Sequence, residues 1–429
     1  MPSLDYKKKL AVRYSILFVL LLPLLALLLS PPPAHADGGF PIIGVLHAGQ
    51  RPEGIAVDTQ THMVYIAYEF PSLVVGFDPV SGKVRWSVPV GASANDVQVD
   101  STNHHVYVAS VSGDNARGLL TILDGASGKI LFNVNTIYGD DGLAIDTIRQ
   151  RVYITSSDHG IISVYSLSTS AGGKVIAASS TLKIGTHPQA LGVNSRLGRL
   201  YVGDVATNTI TVIDEDSSHM LATIAVAAVP VQPLRVDEAT GRVYVVCSTG
   251  QELDIINGHT NMVIARIPVS PFPEGVAFNT ATGRIYVADE GHPDNAFSGS
   301  APGTTITAID QQSFDVLGTL AVGRAPDGVE ADPLLRRIYV SVEDSNAVVE
   351  ISDAPDIPLQ AGQNTHQLAA VRQAILLLQQ AAIITVIAMI VTAVGATLAA
   401  RSRRLRAPES PQTPPGGASS RSEQRIPPA

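Results

Sequence analysis

The chain has 429 residues, with 38 acidic against 29 basic side chains and one cysteine. A single cysteine excludes an internal disulfide, so a domain of this size must be held together by its hydrophobic core. Residues 37–371 contain 35 of the acidic residues but only 18 of the basic ones, a net charge near −17. Such a charge disfavours nucleic acid and anionic lipid head groups as partners, and it favours solubility and cations.

The N-terminus has the pattern of a secretory signal peptide, which we assign to residues 1–36. A basic start is followed by an apolar run at 16–29 and then by Ala34 and Ala36 in the A-x-A spacing of a cleavage site. An uncleaved anchor is the alternative, although this apolar run is short for a membrane span. Both interpretations predict that the following domain is exported.

Residues 41–352 repeat one β-type motif seven times. Copies such as ATGRVYVVC at 239–247 and ATGRIYVAD at 281–289 align on a tyrosine, and an Asp or Asn stands seven residues before each tyrosine. A period of about 40 to 50 residues with only β-type segments is typical of propeller blades. The aligned pairs are Asp58 and Tyr65, Asp100 and Tyr107, Asp146 and Tyr153, Asn194 and Tyr201, Asp237 and Tyr244, Asn279 and Tyr286, and Asp332 and Tyr339.

One repeat, EGVAFNTATGRIYVADEG, shows how the pattern predicts strands. GVAF is the inner strand, Asn279 opens a turn by bonding the backbone two residues on, Gly283 supplies a positive φ, and RIYVAD returns. A third strand and a further hairpin follow in most repeats. The acids at those hairpins are interpreted as turn residues rather than ligands: Asp78, Asp124, Asp214 and Asp310.

The first strand is expected to close the ring. After Tyr339 only one further strand fits, at 346–352, while an unassigned strand precedes the first repeat. We therefore predict that residues 41–48 form the outermost strand of the seventh blade, which removes an exposed edge. The predicted fold is all-β, a seven-bladed β-propeller closed by an N-terminal strand, followed by one C-terminal transmembrane helix.

The repeats also resemble a known family. RLYVGD, RVYVVC and RIYVAD, with flanking segments such as ITVID and ATIAV, are similar to the YVTN-type (YncE-like) β-propeller repeats of bacterial and archaeal extracytoplasmic proteins. The resemblance implies a binding or scaffold role, and the family is itself close to the propeller lactonases. Trp86 is the only tryptophan, so propellers with pyrroloquinoline quinone (PQQ) fit poorly, and the lack of a paired-cysteine motif gives no support for haem.

Two positions in each repeat lie on one face of the propeller, the top face, where loops enter the inner strand and leave the second strand. The first position is a carboxylate or a carboxamide in every repeat, and the second is polar in five of the seven repeats. The sixth, seventh and first repeats carry an acid at both positions, and the loop from Asp289 to Thr305 adds a candidate recognition element. The candidate binding residues are Glu53, Glu69, Asp141, Glu274, Asp289, Glu290, His292, Asp327 and Glu343.

Carboxylates on one sector repel one another unless cations, protons or hydrogen-bond donors compensate. Oxygen ligands around a channel suit calcium or magnesium, and Glu53, Glu274 and Asp327 are the candidate metal ligands. The alternative is that the acids before the inner strands cap free backbone N–H groups, while those after the second strands are solvated.

The C-terminal region predicts a membrane anchor. A linker at 353–368 precedes Ala374–Ala400, which is uncharged and as a helix would be about 40 Å long, enough to cross a hydrocarbon core of about 30 Å. RSRRLR follows directly, and the positive-inside rule places it in the cytoplasm. The tail at 401–429 is rich in Pro, Ser and Gly and is expected to be disordered. We therefore expect a single-pass cell-membrane protein with the propeller outside.

The expected function is binding at the top face, where the partner is a protein, a cell-envelope polymer or a small molecule. No nucleophile elbow, phosphate-binding glycine loop or zinc-protease motif occurs in the sequence. The enzyme alternative is a metal-dependent, lactonase-like hydrolase in which the acids hold a metal that activates water. Electron transfer or quinone-dependent oxidation would require a coloured cofactor.

Overall fold

The computed structural model describes residues 40–111, 117–137, 142–169, 175–291 and 302–354. Within them the chain forms seven four-stranded antiparallel sheets. Each sheet is one blade, numbered in chain order. The strands of the first three blades are β2 (Gln50–Val57), β3 (Val64–Phe70), β4 (Leu73–Asp78) and β5 (Lys83–Pro89); β6 (Ala92–Asp100), β7 (His105–Val111), β8 (Gly118–Asp124) and β9 (Ile130–Thr136); and β10 (Leu143–Asp146), β11 (Arg151–Ser156), β12 (Ile161–Thr169) and β13 (Val175–Lys183).

Blades 4 to 6 repeat this order, and blade 7 uses the first strand of the chain. Their strands are β14 (Pro188–Asn194), β15 (Arg199–Asp204), β16 (Thr209–Asp214) and β17 (Met220–Ala225); β18 (Arg235–Asp237), β19 (Arg242–Cys247), β20 (Glu252–Asn257) and β21 (Met262–Pro268); β22 (Pro273–Asn279), β23 (Arg284–Gly291), β24 (Pro302–Asp310) and β25 (Val316–Ala321); and β26 (Pro326–Asp332), β27 (Arg337–Val342), β28 (Ala347–Ser352) and β1 (Ile42–Leu46). Two short 3-10 turns lie at Ser157–His159 and Glu343–Ser345.

The ring closes as the sequence predicts. β1 pairs antiparallel with β28, so that Val45 lies opposite Val349, and the inner strand β2 of blade 1 contacts the inner strand β26 of blade 7. The core is continuous across this junction, because Tyr339 and Val348 of blade 7 pack with Val64 of blade 1. The two ends of the propeller are therefore held together both by a sheet ladder and by buried apolar contacts.

The aspartate or asparagine of each repeat opens the turn between its first two strands. In blade 6 the backbone N–H of Ala281 donates to Asn279 Oδ1 at 3.0 Å, and Gly283 has φ 66°. The same contact, from the residue two or three positions on, occurs in the other six blades. The hairpin acids act likewise, since the N–H of Val80 donates to Asp78 Oδ1 at 2.9 Å. Both turn predictions are confirmed.

The Arg-x-Tyr pair of the repeat fastens a blade to the next one. Arg242 Nη1 in blade 5 donates to the backbone oxygen of Gln311 in blade 6 at 2.7 Å, and Gln311 Nε2 donates to Tyr244 Oη at 2.7 Å. Tyr153 Oη in blade 3 donates to Glu215 of blade 4 at 2.8 Å. The repeated Arg and Tyr residues therefore form contacts between blades as well as strands. The repeat pattern alone did not predict these contacts between blades.

Several predicted segments lie outside the described residues. These are the signal peptide at 1–36, the linker from residue 355 to 368, the transmembrane helix at 374–400 and the tail at 401–429. In the part of the chain that the structure describes, no helix is long and apolar enough to cross a membrane.

Candidate functional site

Three inner strands carry their acid in a β-bulge at the top face. In blade 1 the register between β2 and β3 shifts between Pro52 and Ile55, so that Glu53 and Gly54 lie in the irregular stretch. The same irregularity surrounds the equivalent acid of blades 6 and 7. A bulge takes a side chain out of the regular alternation of a strand, which frees these acids from the packed sheet faces.

The glycine after each acid lets neighbouring inner strands approach closely. A Cβ atom on Gly275 would lie 2.2 Å from the backbone oxygen of Asp327, and a Cβ atom on Gly328 would lie 2.6 Å from that of Glu53. Only glycine tolerates such an approach. The acids of blades 6, 7 and 1 therefore stand on three successive strands whose backbones are in contact.

Arg51 brings two further acids into the same sector. Its Nη2 donates to Glu343 Oε2 at 3.1 Å, and its Nε lies 3.1 Å from Glu69 Oε2. Glu343 is buried, whereas the Arg51 side chain is 48% exposed. The pairing joins blade 7 to blade 1, so it depends on ring closure. We call the six acids of this sector the acidic mouth: Glu53, Glu69, Glu274, Glu290, Asp327 and Glu343.

Asp289 and the mouth acid Glu274 have local hydrogen-bond donors. Asp289 accepts the hydroxyl of Thr305 at 2.9 Å and that of Thr307 at 2.8 Å, so it is tied to the adjacent strand of its own blade. Glu274 accepts one hydroxyl, Ser248 Oγ, at 3.2 Å. Asp289 is therefore a structural acid beside the mouth, and Glu274 is a mouth acid with a single weak donor.

Three acids of the mouth lack such donors. The carboxylates of Glu53, Glu290 and Asp327 form no hydrogen bond or ion pair with another described residue, although Glu290 is only 9% exposed. Glu53 and Asp327 accept no backbone N–H from the described chain, and Glu290 and Glu343 are buried. Glu53 and Asp327 therefore do not cap backbone N–H groups, and Glu290 and Glu343 are not solvated. The alternative interpretation fails for these four residues.

Burial and mutual repulsion hold protons on these carboxyl groups. Burial raises the pKa of Glu53 to about 9, and the charges of Asp327 and Glu343 add to the shift. Burial also raises the pKa of Glu290 to about 9, that of Glu274 to about 8 and that of Asp327 to about 7. Because each of these groups lies in the field of another, the acids titrate as one coupled set. Several of them carry protons at neutral pH.

The acids are not arranged as a metal cage. Among the described residues, no group of three or more His, Cys, Asp or Glu side chains could hold a metal ion. Glu53, Glu274 and Asp327 supply oxygen atoms of the right chemistry, but calcium needs six to eight oxygens at about 2.3–2.6 Å around one point. Metal binding by these three residues stays a prediction, and no chemistry is derived through it.

A second set of polar side chains crosses the channel, and the sequence analysis missed it. From blade 5, Gln232 Nε2 donates to Asp96 Oδ2 of blade 2 at 2.6 Å, and Arg235 Nη2 donates to Glu330 Oε2 of blade 7 at 2.6 Å. Arg235 Nη1 also lies 3.4 Å from Gln98 Oε1. We call these five residues the channel bridge.

A signal for the channel bridge is present in the repeats. Arg235, Gln98 and Glu330 each stand two residues before the turn Asp of their blade, three positions beyond the mouth acids along the inner strand. In the other four blades this position is small, which leaves room for Arg235 to span the channel. The four small residues are Ala56, Ala144, Gly192 and Ala277.

The structure places most, but not all, of the predicted site residues. The six acids of the mouth lie in one sector of blades 6, 7 and 1, with Asp289 alongside. Asp141 of blade 3 and His292 of the long loop lie outside the described residues.

Comparison with known proteins adds similarity at the level of fold. No family model matches the chain. It is 22% identical to the uncharacterized protein YncE of Salmonella typhi over 263 residues, which are 58% of this chain and 71% of that protein, and the Salmonella typhimurium protein matches to the same extent. YncE of Escherichia coli O157:H7 is 20% identical over 193 residues, 42% of this chain and 53% of that protein.

The β-propeller domain of Cps50 (Swd1) from Myceliophteria thermophila superimposes with a TM-score of 0.60 at 9% identity, covering 73% of this chain and 99% of that domain. The chain is a seven-bladed β-propeller similar to YncE. At this level of identity the likeness to Cps50 shows the fold alone, and the similarity to YncE assigns no ligand. The chemistry of the mouth must carry the functional argument.

Proposed function

We propose that this protein is an exported, membrane-anchored β-propeller that binds a ligand at its acidic mouth. The observation that carries the proposal is the accumulation of carboxyl groups without donors on three adjacent blades, namely the nearly buried Glu290 and the partly buried Glu53 and Asp327. Burying such groups costs free energy unless they are protonated or paired. A ligand that supplies donors would recover this cost.

The shape of the ring supports binding at one end. The seven sheets form a closed scaffold, and Arg235 of the channel bridge spans the channel to Glu330, three positions further along the inner strands than the mouth acids. A ligand that enters at the mouth therefore meets a polar floor and leaves by the same opening. Binding sites of β-propellers and other closed scaffolds lie in such concave ends.

Ligand binding can be tested with a thermal-shift panel of amines, sugars and carboxylic acids, with the double variant Glu53→Gln and Asp327→Asn as the comparison. The amides keep the side-chain volume, so the variant should fold. A ligand at 100 times its Kd stabilises the native state by about 2.7 kcal/mol. We expect compounds that raise the Tm of the native protein to lose this effect in the variant. Equal shifts in both proteins would place the site elsewhere.

Export and anchoring can be tested through cysteine labelling. The native Cys247 is buried, and burial raises the pKa of its thiol to about 11, so its background reactivity is low. Leu334→Cys introduces a thiol at a position that is 71% exposed, and Ser420→Cys introduces one in the tail. An impermeant maleimide should label Leu334→Cys on intact cells and Ser420→Cys only after permeabilisation. The reverse pattern, or no labelling of Leu334→Cys on intact cells, would overturn the topology.

The hydrolase alternative has a separate readout. Lactone hydrolysis that requires added metal and disappears in the double variant Glu53→Gln and Glu274→Gln would replace the binding proposal by an enzymatic one.

A further inference from the structure

The acidic mouth already holds one organic cation, the guanidinium group of Arg51. This group contacts Glu343 and Glu69 at 3.1 Å each, and its side chain remains half exposed at the opening. One planar cation therefore serves two carboxylates on different blades. The contact shows which ligand chemistry the spacing of these acids accepts.

Other acids of the mouth have no such cation among the described residues. Glu290 is only 9% exposed, and its carboxyl group forms no hydrogen bond or ion pair with another described residue. The charges of Asp327, Glu274 and Glu343 act on it, which places it in the same sector of the ring. A nearly buried carboxyl group without a donor, at the edge of an accessible mouth, is a position that a ligand donor fills.

The arrangement favours an organic cation over a small metal ion. The acids stand on three successive blades, and the described residues contain no group of three ligands that could hold a metal. An alkylammonium group has three N–H donors and a guanidinium group has five, which point in different directions. Such groups can bond carboxylates that do not converge on one point.

We propose that the acidic mouth binds an alkylammonium or guanidinium group, as carried by a polyamine or by a lysine or arginine side chain. The inference rests on the proposed function and names its ligand class. The bound group does for Glu53, Glu290 and Asp327 what Arg51 does for Glu69 and Glu343. It supplies positive charge to carboxyl groups that are buried or partly buried, as Arg51 does for both of its acids, and it donates hydrogen bonds, as Arg51 does to Glu343.

Binding of the cation is coupled to proton release. A carboxyl group that carries a proton in the free protein must lose it to pair with the cation, so affinity rises with pH. Among the described groups whose charges act on Glu53, Glu290 and Asp327, Arg51 is the positively charged one. The charged and titratable groups of the surrounding elements are Arg51 and Glu53 on β2, Glu69 on β3, Asp96 on β6, Glu274 on β22, Asp289 and Glu290 on β23, Asp327 on β26, and Glu343 and Asp344 on the turn after β27.

The experiment is calorimetric titration of the purified full chain with spermidine and with Nα-acetyl-lysine methylamide, whose side-chain ammonium group is free, at pH 6 and pH 7. Neutral N-acetyl-norleucine methylamide is the control ligand, since it keeps the alkyl chain without the charge. One proton released per cation makes the Kd fall about tenfold from pH 6 to pH 7. Binding of spermidine alone would identify a polyamine site, and binding of both cations a site for single ammonium groups; either supports the proposal.

Variants assign the effect to the mouth. Asp327→Asn and, separately, Glu290→Gln should each weaken cation binding at least tenfold at pH 7. The matched control is Asp315→Asn, which removes one exposed acid from the outer hairpin of blade 6 and should leave the Kd unchanged. Because the two mouth variants are independent, failure of one to fold leaves the other as the test.

The outcomes separate the ligand class from the proposed function. If neither cation binds, while a neutral or anionic compound of the thermal-shift panel binds the native protein but not Asp327→Asn, the mouth is a binding site and the ligand class is wrong. If cations bind equally to the native protein and to both mouth variants, or with the same Kd at both pH values, this inference is overturned. If no compound distinguishes the native protein from the mouth variants, the proposed function fails as well.

Discussion

Asp353, the residue that follows strand β28 of blade 7, fastens blade 7 to blade 6. Its carboxylate is fully buried and accepts hydrogen bonds from Asn279 Nδ2, Thr282 Oγ1 and Arg284 Nη1, each at 2.6 Å, and from the hydroxyl of Tyr286. All four donors belong to blade 6. The sequence predicts a linker from residue 353 onward, yet this first residue is part of the propeller packing.

Replacing Asp353 by alanine should destabilise the propeller strongly. The change leaves Arg284 partly buried without its carboxylate, and breaking one side of a buried ion pair costs about 3–5 kcal/mol. Each lost bond to a charged group contributes about 1.5–3 kcal/mol, but the contributions overlap and do not add. We therefore expect a loss of about 3–5 kcal/mol in the free energy of unfolding.

Chemical denaturation monitored by circular dichroism measures this loss through the midpoint and the slope. The matched control is Asp344→Ala, which removes an exposed acid from an ion pair with Arg324 at 3.3 Å. The two side chains are 47% and 61% exposed, so we expect the control to cost about 1 kcal/mol or less. If Asp353→Ala is no more destabilising than Asp344→Ala, Asp353 does not stabilise the contact between blades 6 and 7 as interpreted.

Three further changes test other parts of the structure. The pKa values of Glu53 and Asp327 are raised on folding, so the stability that these two acids contribute is complete below the unfolded pKa of about 4 and is lost as the pH rises through about 7 to 9. Glu53→Gln with Asp327→Asn should flatten the decline of Tm from pH 5 to pH 9, and an unchanged decline would contradict the raised pKa values. Arg235→Met leaves Glu330 without its cation and should cost about 3–5 kcal/mol in denaturant unfolding; recovery on adding Glu330→Leu would confirm that the cost is the unpaired charge, and no recovery would refute it. Removing residues 41–48 exposes the edge of β28 and should lower the unfolding midpoint; an unchanged midpoint and cooperativity would refute closure by β1.

The repeated features of the fold are visible in the sequence because each is a local pattern written seven times. The turn formed by Asn279 depends on residues two to four positions away, and the closing strand follows from counting strands in the last repeat. Ring closure then places the acids of blades 6, 7 and 1 together. The sector of the acidic mouth could therefore be predicted from repeat positions alone.

The environment of those acids could not be predicted in the same way. One interpretation of the sequence predicts that Glu290 is solvated, but the residue is only 9% exposed, and the repeat pattern does not specify this burial. The channel bridge joins Gln232 and Asp96 across 136 positions in the chain, and Arg235, Gln98 and Glu330 replace the small residue that the other four blades have at their position. Residues that depart from a repeat carry information that alignment of the repeat hides.

The most direct test of the account is the protonation state of the mouth acids at neutral pH. Infrared spectroscopy distinguishes a protonated carboxyl group from an ionised carboxylate, and the difference spectrum between the native protein and the variant Glu53→Gln with Glu290→Gln assigns the signal. The account predicts a protonated carboxyl band at pH 7 that is stronger in the native protein than in the variant, so that the difference spectrum contains the band at pH 7 and loses it above pH 9. A native protein whose carboxyl groups are all ionised at pH 7 would contradict it.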